Sequence, residues 1–180
     1  MIKITIPCHT YIRKFVQGHY PQGSDVLKLS RHSFIGSVIF TMLEKNAYTY
    51  EPGEYRDQLT FEIGEMYFDR YGAGITPAQV HQFNRIMDDL FREGMFRAVD
   101  MATNITCEYR KTTYEVKSPK HQKMHRRRFF LIQKPPEIMQ CIQFYCSMFA
   151  IDENDIMMET LKKSYYRHRK SYNRSSRVFS

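Results

Sequence analysis

A helix start stands near the middle of this 180-residue chain and orders what lies on either side. Thr76 is a capping residue, Pro77 takes the first helical position, and Gln79 stands three beyond Thr76 to complete a capping box. Val80, Phe83, Met87, Leu90 and Phe91 follow on one face, predicting a helix to about Met95, with Gly94 a weak point near its end. That face needs apolar surface to bury against. The supply is ample: 42% of residues are apolar, with 13 Phe and 13 Tyr, which argues against a wholly disordered chain.

Upstream, Ile2 to Ile6 alternates and reads as a short strand stopped by Pro7. His9 to Val16 reads as a helix with Tyr11, Ile12, Phe15 and Val16 on one side. Ser30 is an N-cap candidate for a helix over 31–45, with Phe34, Ile35, Val38, Ile39, Met42 and Leu43 at helical spacing. Leu59, Phe61 and Ile63 alternate with Thr60 and Glu62, as in a half-buried strand.

Downstream the period changes. Ile105, Cys107 and Tyr109 alternate, as do Tyr114 and Val116, and later Phe130 and Ile132. Two strands are predicted, 104–116 and 128–133, forming a β-hairpin around a basic loop. In geometry such a loop resembles the wing of a winged-helix domain, and a plain surface loop has the same pattern. Pro135-Pro136 breaks the chain, and a helix from Glu137 presents Ile138, Ile142, Tyr145 and Phe149. After a short connection at Ala150 to Glu153, Asn154 or Asp155 caps a last helix with Ile156, Leu161 and Tyr165 inward. Two helices joined by about four residues fit a helix-turn-helix unit, and fit an ordinary helical hairpin too.

Charge divides the chain unevenly. Residues 1–107 hold 11 basic and 12 acidic side chains, a net of −1, whereas residues 108–180 hold 16 basic and 7 acidic, a net of +9, so the second part carries the whole positive excess behind the total of +8. Clustered cations of this kind point to a polyanion, nucleic acid before an anionic membrane surface. One dense run comprises Lys117, Lys120, Lys123, Arg126, Arg127 and Arg128, with His121 and His125 among them. A second comprises Lys162, Lys163, Arg167, Arg169, Lys170, Arg174 and Arg177, with no acid and with Tyr165, Tyr166 and Tyr172 interleaved. Cations suit phosphates, and a tyrosine between them suits stacking or helix packing. One feature cuts against base reading by the start of the last helix: Asp152, Glu153, Asp155 and Glu159 make that end acidic, so phosphate contact by its C-terminal half fits better. Residues 171–180 read as a flexible basic tail.

Several chemistries lose ground here. Cys8, Cys107, Cys141 and Cys146 form no CxxC pair, and His121 and His125 sit among cations that would repel a divalent ion, so no metal site and no cofactor is expected. Reduced, buried thiols are expected instead. No phosphate-binding glycine loop and no nucleophile elbow occurs. Asp100 followed by Glu115-Val116-Lys117 is similar to the acidic residue and E-x-K of restriction-type nucleases, in which two carboxylates hold Mg²⁺ and a lysine helps activate water. Chance supplies that match in many chains of this size.

The sequence therefore predicts an α+β protein: helices with short strands, a β-hairpin with a basic loop, and a C-terminal helix-turn-helix-like pair. Its predicted parts are a near-neutral 1–103, a basic 104–170 continuous with it, and the tail 171–180. The expected function is non-catalytic nucleic-acid binding, DNA before RNA, in regulation, recombination or packaging. The expected contacts are Lys117, Lys120, Lys123, Arg126, Arg127, Arg128, Lys162, Lys163, Tyr166, Arg167, Arg169, Lys170 and Arg174. A structural component of a nucleoprotein or phage assembly is the first alternative, since the Phe, Tyr and Met content suits an obligate interface or homo-oligomer. A Mg²⁺-dependent nuclease on Asp100, Glu115 and Lys117 is the second. In general character the chain resembles small basic proteins of phages and mobile elements. With no run near the roughly 20 apolar residues of a membrane span and no secretory signal, a cytoplasmic location is expected.

Overall fold

Alternation of apolar and polar residues sets one face of a small sheet. The computed structural model describes residues 1–20, 26–45, 55–115 and 136–176, with side chains at 1–20, 26–45, 55–103 and 136–171. Strand β1 (Ile2–Cys8) buries Ile4, Ile6 and Cys8. It pairs antiparallel with β3 (Asp57–Ile63), which buries Leu59, Phe61 and Ile63, in a register that sets Ile4 against Phe61 and Ile6 against Leu59. The three-residue β2 (Val26–Lys28) joins the other side of β3 in parallel, giving the order β1-β3-β2. Pro7 does not stop β1 as expected. It lies in the strand opposite Gln58, and an edge strand tolerates a residue without an N–H.

Helix α1 (Thr10–Gln17) buries Tyr11, Ile12, Phe15 and Val16, the four residues that its spacing selects. Helix α2 (Phe34–Met42) starts later than predicted, because Ser33 rather than Ser30 is its cap. The Ser33 hydroxyl accepts from the Gly36 N–H at 3.0 Å and donates to the Ser30 carbonyl at 2.8 Å. Helix α3 (Glu65–Tyr71) buries no residue fully; Tyr67 and Tyr71, one turn apart, are half-buried and meet Phe40 of α2.

Helix α4 (Pro77–Glu115) opens as its sequence requires, with Thr76 N–H donating to Gln79 Oε1 at 2.7 Å and Gln79 N–H to Thr76 Oγ1 at 3.3 Å. It then runs 39 residues, through the expected end at Met95 and through the predicted strand. Residues 104–115 are helical, so the first strand of the expected hairpin is not formed. No Pro or Gly lies between Met95 and Glu115 to stop a helix, and Ile105 and Tyr109 are as well spaced for a helix turn as for a strand. The second predicted strand, 128–133, and the basic loop lie outside the described residues. The α+β class itself holds: six helices and three strands are described.

Two compact units share the chain: Met1–Phe91 with Met148–Ile156, and Arg92–Ser147 with Met157–Ser180. In the first, Asn84 of α4 is buried and joined to the end of β1: its Nδ2 donates to the Pro7 carbonyl at 2.9 Å, and its Oδ1 accepts from His9 N–H at 3.3 Å. Phe83 meets Phe61 of the sheet, and Phe91 meets Phe15 of α1. The second unit packs three helices: the later part of α4, α5 (Ile138–Ser147) and α6 (Met158–Ser176). Its core holds Met95, Val99, Ile142, Cys146, Leu161 and Tyr165, each fully buried. Gly94 is a contact rather than a weak end. A Cβ there would lie 2.3 Å from the Tyr145 hydroxyl of α5, so the two helices approach only because the side chain is absent.

Candidate nucleic-acid interface

Helix α6 separates its residues by face. Leu161 and Tyr165 are buried. The Tyr165 hydroxyl donates to Asp100 Oδ1 at 2.7 Å, and the His168 ring stacks on Phe96 at 4.5 Å between centroids. At 3.6 residues per turn, Lys163, Arg167, Lys170 and Arg174 fall within about 40° of one line on the opposite side, over about 16 Å of helix. Lys163, Arg167, Arg169 and Lys170 are all exposed. Arg174 belongs to α6 by its backbone, and its side chain lies outside the described ones. Among the described cations of α6, only Lys162 makes an ion pair, with Glu159 at 3.4 Å.

The interleaved tyrosines divide by the same rule. Tyr165 is a core residue, and burial, followed by its Asp100 hydrogen bond, pushes its phenol up to about 12. Tyr166 is 46% exposed and remains available. It lines a cleft of about 430 Å³ with Lys162, Thr103 of α4 and residues 136–139 at the start of α5. Nothing local in the sequence reveals this cleft, because Thr103 and Tyr166 meet only when α4 and α6 pack.

The helix-turn-helix expectation changes in one respect. Residues 148–157 separate α5 from α6, ten rather than about four, and 148–156 belong to the other compact unit. The missing tight turn has a local cause. Asp152 accepts from the N–H of Asn154 at 2.8 Å, and Asp155 accepts from that of Asp152 at 2.9 Å, so these acids shape the connection instead of capping α6. Asp155 also accepts from Lys14 at 2.6 Å. Only Glu159 of the acidic group lies in the first turn of α6.

The first basic run, Lys117, Lys120, Lys123, Arg126, Arg127 and Arg128, lies outside the described residues. The nuclease grouping loses its geometry. Asp100 and Glu115 sit on one helix, fifteen residues or about 22 Å apart along its axis, too far to share an ion. The Asp100 carboxylate is occupied by Tyr165. Among the described residues no group of three or more His, Cys, Asp or Glu could hold a metal ion, and Cys8, Cys141 and Cys146 are buried thiols. No described helix is long and apolar enough to cross a membrane. Compared with family models, curated proteins and solved structures, the chain matches none of them.

Proposed function

We propose that this protein binds nucleic acid without cleaving it, through phosphate contacts from the exposed face of α6 and from the run Lys117–Arg128. The observation that supports this reading is the division of α6: one side holds Leu161 and Tyr165 in the core, and the other presents Lys163, Arg167 and Lys170 without acidic partners. The first turn of the same helix keeps its one acid, Glu159, paired with Lys162. Major-groove reading by the start of α6 is no part of the proposal, since that end carries Glu159 and the preceding turn is long. DNA is the first polymer to test, with regulation, recombination or packaging as the processes such binding serves.

A salt titration tests it. If about six cations touch phosphates of duplex DNA, the log–log slope of affinity against salt is near −5. Replacing Lys163, Arg167 and Lys170 together by Ala flattens that slope by about 2.7 and weakens binding at low salt. An unchanged slope removes α6 from the interface. Replacing Arg126, Arg127 and Arg128 by Ala tests the other run in the same way.

A further inference from the structure

We infer that the cleft beside Tyr166 receives an unpaired nucleobase, so that the preferred ligand is a single strand or a locally opened duplex. The inference rests on the nucleic-acid reading above and goes beyond it by naming the form of the polymer and the residue that selects it.

Its basis is the neighbourhood of one side chain. On a helix surface a residue's neighbours stand three and four positions away. Those of Tyr166 are Lys162, Lys163, Arg169 and Lys170, cations at all four positions. Tyr166 is nevertheless no core residue, for it is 46% exposed. Its ring is at once a wall of the 430 Å³ cleft and the centre of a cationic patch. A volume of that size lies within the range of about 300–1,000 Å³ typical of small-ligand sites.

A strand of nucleic acid presents the complementary pattern: a flat apolar base with a phosphate on either side along the backbone. Seated on Tyr166, the base would enter the cleft, and the two phosphates would fall toward Lys163 on one side, where Lys162 is held by Glu159, and toward the pair Arg169–Lys170 on the other. The opposite wall agrees with this polarity. Thr103, Ile138 and Met139 offer apolar or neutral surface, and Glu137 at the α5 end suits an amino group on a base edge while repelling phosphate. Phosphates therefore belong on the α6 side and the base inside. A paired base inside a duplex cannot reach such a cleft without leaving its stack.

The full chain is titrated with a single-stranded oligonucleotide carrying one 2-aminopurine, and with the same strand in duplex, at equal salt. The expected result is tighter binding of the single strand and a change in 2-aminopurine emission from stacking. Tyr166→Ala should weaken single-strand binding about ten- to a hundredfold and leave the duplex nearly unchanged, whereas Tyr166→Phe keeps both the affinity and the emission change. Met139→Trp, which fills the cleft from the other wall with Tyr166 intact, should reproduce the loss, and it carries the test if Tyr166→Ala fails to fold. Equal effects of these variants on single strand and duplex, or no effect on either, overturn the inference. If the Lys163, Arg167 and Lys170 variant still weakens both forms, the nucleic-acid reading survives that failure. A cleft that takes an apolar side chain of a protein partner leaves the 2-aminopurine emission unchanged, which also overturns the inference. Absence of binding to either form by the unaltered protein overturns both readings.

Discussion

The two compact units differ in the reach of their described ion pairs: those of the helical unit, Arg97 with Glu93 and Lys162 with Glu159, stay within about one helix turn, whereas those of the other link distant parts of the chain. In the unit of Met1–Phe91 and Met148–Ile156, Arg13 pairs with Asp57 at 3.0 Å and Lys14 with Asp155 at 2.6 Å, across long stretches of sequence. Its buried amide, Asn84, is spent on the end of β1 and on the Val80 carbonyl of its own helix. In the unit of Arg92–Ser147 and Met157–Ser180, the buried polar contact is Tyr165 with Asp100, and the exposed cations of α6 face solvent. A net charge is thus informative only after internal pairing is subtracted. In the first unit two ion pairs tie distant chain segments together, and in the second Lys163, Arg167, Arg169 and Lys170 of α6 are exposed without an ion pair among the described residues.

The largest effect expected is alkaline. Burial pushes Cys8 up to about 12, Cys146 up to about 11 and Tyr145 up to about 12, and Tyr165 is raised to about 12 as described. Each group binds its proton more tightly folded than unfolded, so its contribution is fully present below the ordinary value near 9 or 10 and is lost as pH rises toward 11 or 12. Tm measured against pH should be level near neutrality and fall steeply above pH 9. Three of the four groups belong to the helical unit, so its amide signals should broaden before those of the sheet. Sheet signals lost first would break the comparison.

Next in size is Tyr165→Ala. It empties a fully buried site and leaves Asp100 without its donor, at a cost of about 3–5 kcal/mol. Denaturant titration measures the total. Native-state hydrogen exchange shows whether the loss stays in the helical unit, as expected, or spreads to β1 and β3. Gly94→Ala should be smaller, about 1–2 kcal/mol. The added methyl meets the buried Tyr145 hydroxyl, against a gain in helix propensity of at most about 1 kcal/mol. A rise in Tm for this variant would show that α5 gives way easily and that the α4–α5 approach is loose.

How far these features could be read in advance differs element by element. The capping box at Thr76, the alternation in β1 and β3, the inward residues of α1, and Leu161 and Tyr165 of α6 are all patterns within a few turns or strand positions, and the structure contains them; Ile156, expected inward on the last helix, lies in the connection before it and is only half-buried. The strand expected at 104–116 failed because Ile105, Cys107 and Tyr109 satisfy two periods at once, and the absence of a breaker after Gly94 decided for the helix. The cap of α2 was misplaced by three residues because Ser30 and Ser33 are chemically equal, and only the local backbone fold selects Ser33. The candidate interface was legible as charge but not as shape. Lys163, Arg167 and Lys170 could be placed from periodicity, as could Tyr165 inward, whereas the cleft beside Tyr166 required knowing where α4 lies.

Periodicity and capping are properties of neighbours along the chain, and for that reason the sequence alone determined the start of α4, the paired faces of β1 and β3, and the cationic side of α6. Tertiary packing decided the rest. It turned Gly94 from a weak point into the seat of Tyr145, drew Asp100 into a bond with Tyr165 and away from any metal, and brought Thr103 to Tyr166 to form a cleft. Each of those outcomes depends on residues tens of positions apart. Their interaction free energy exists only once both helices are in place, and no local pattern encodes it.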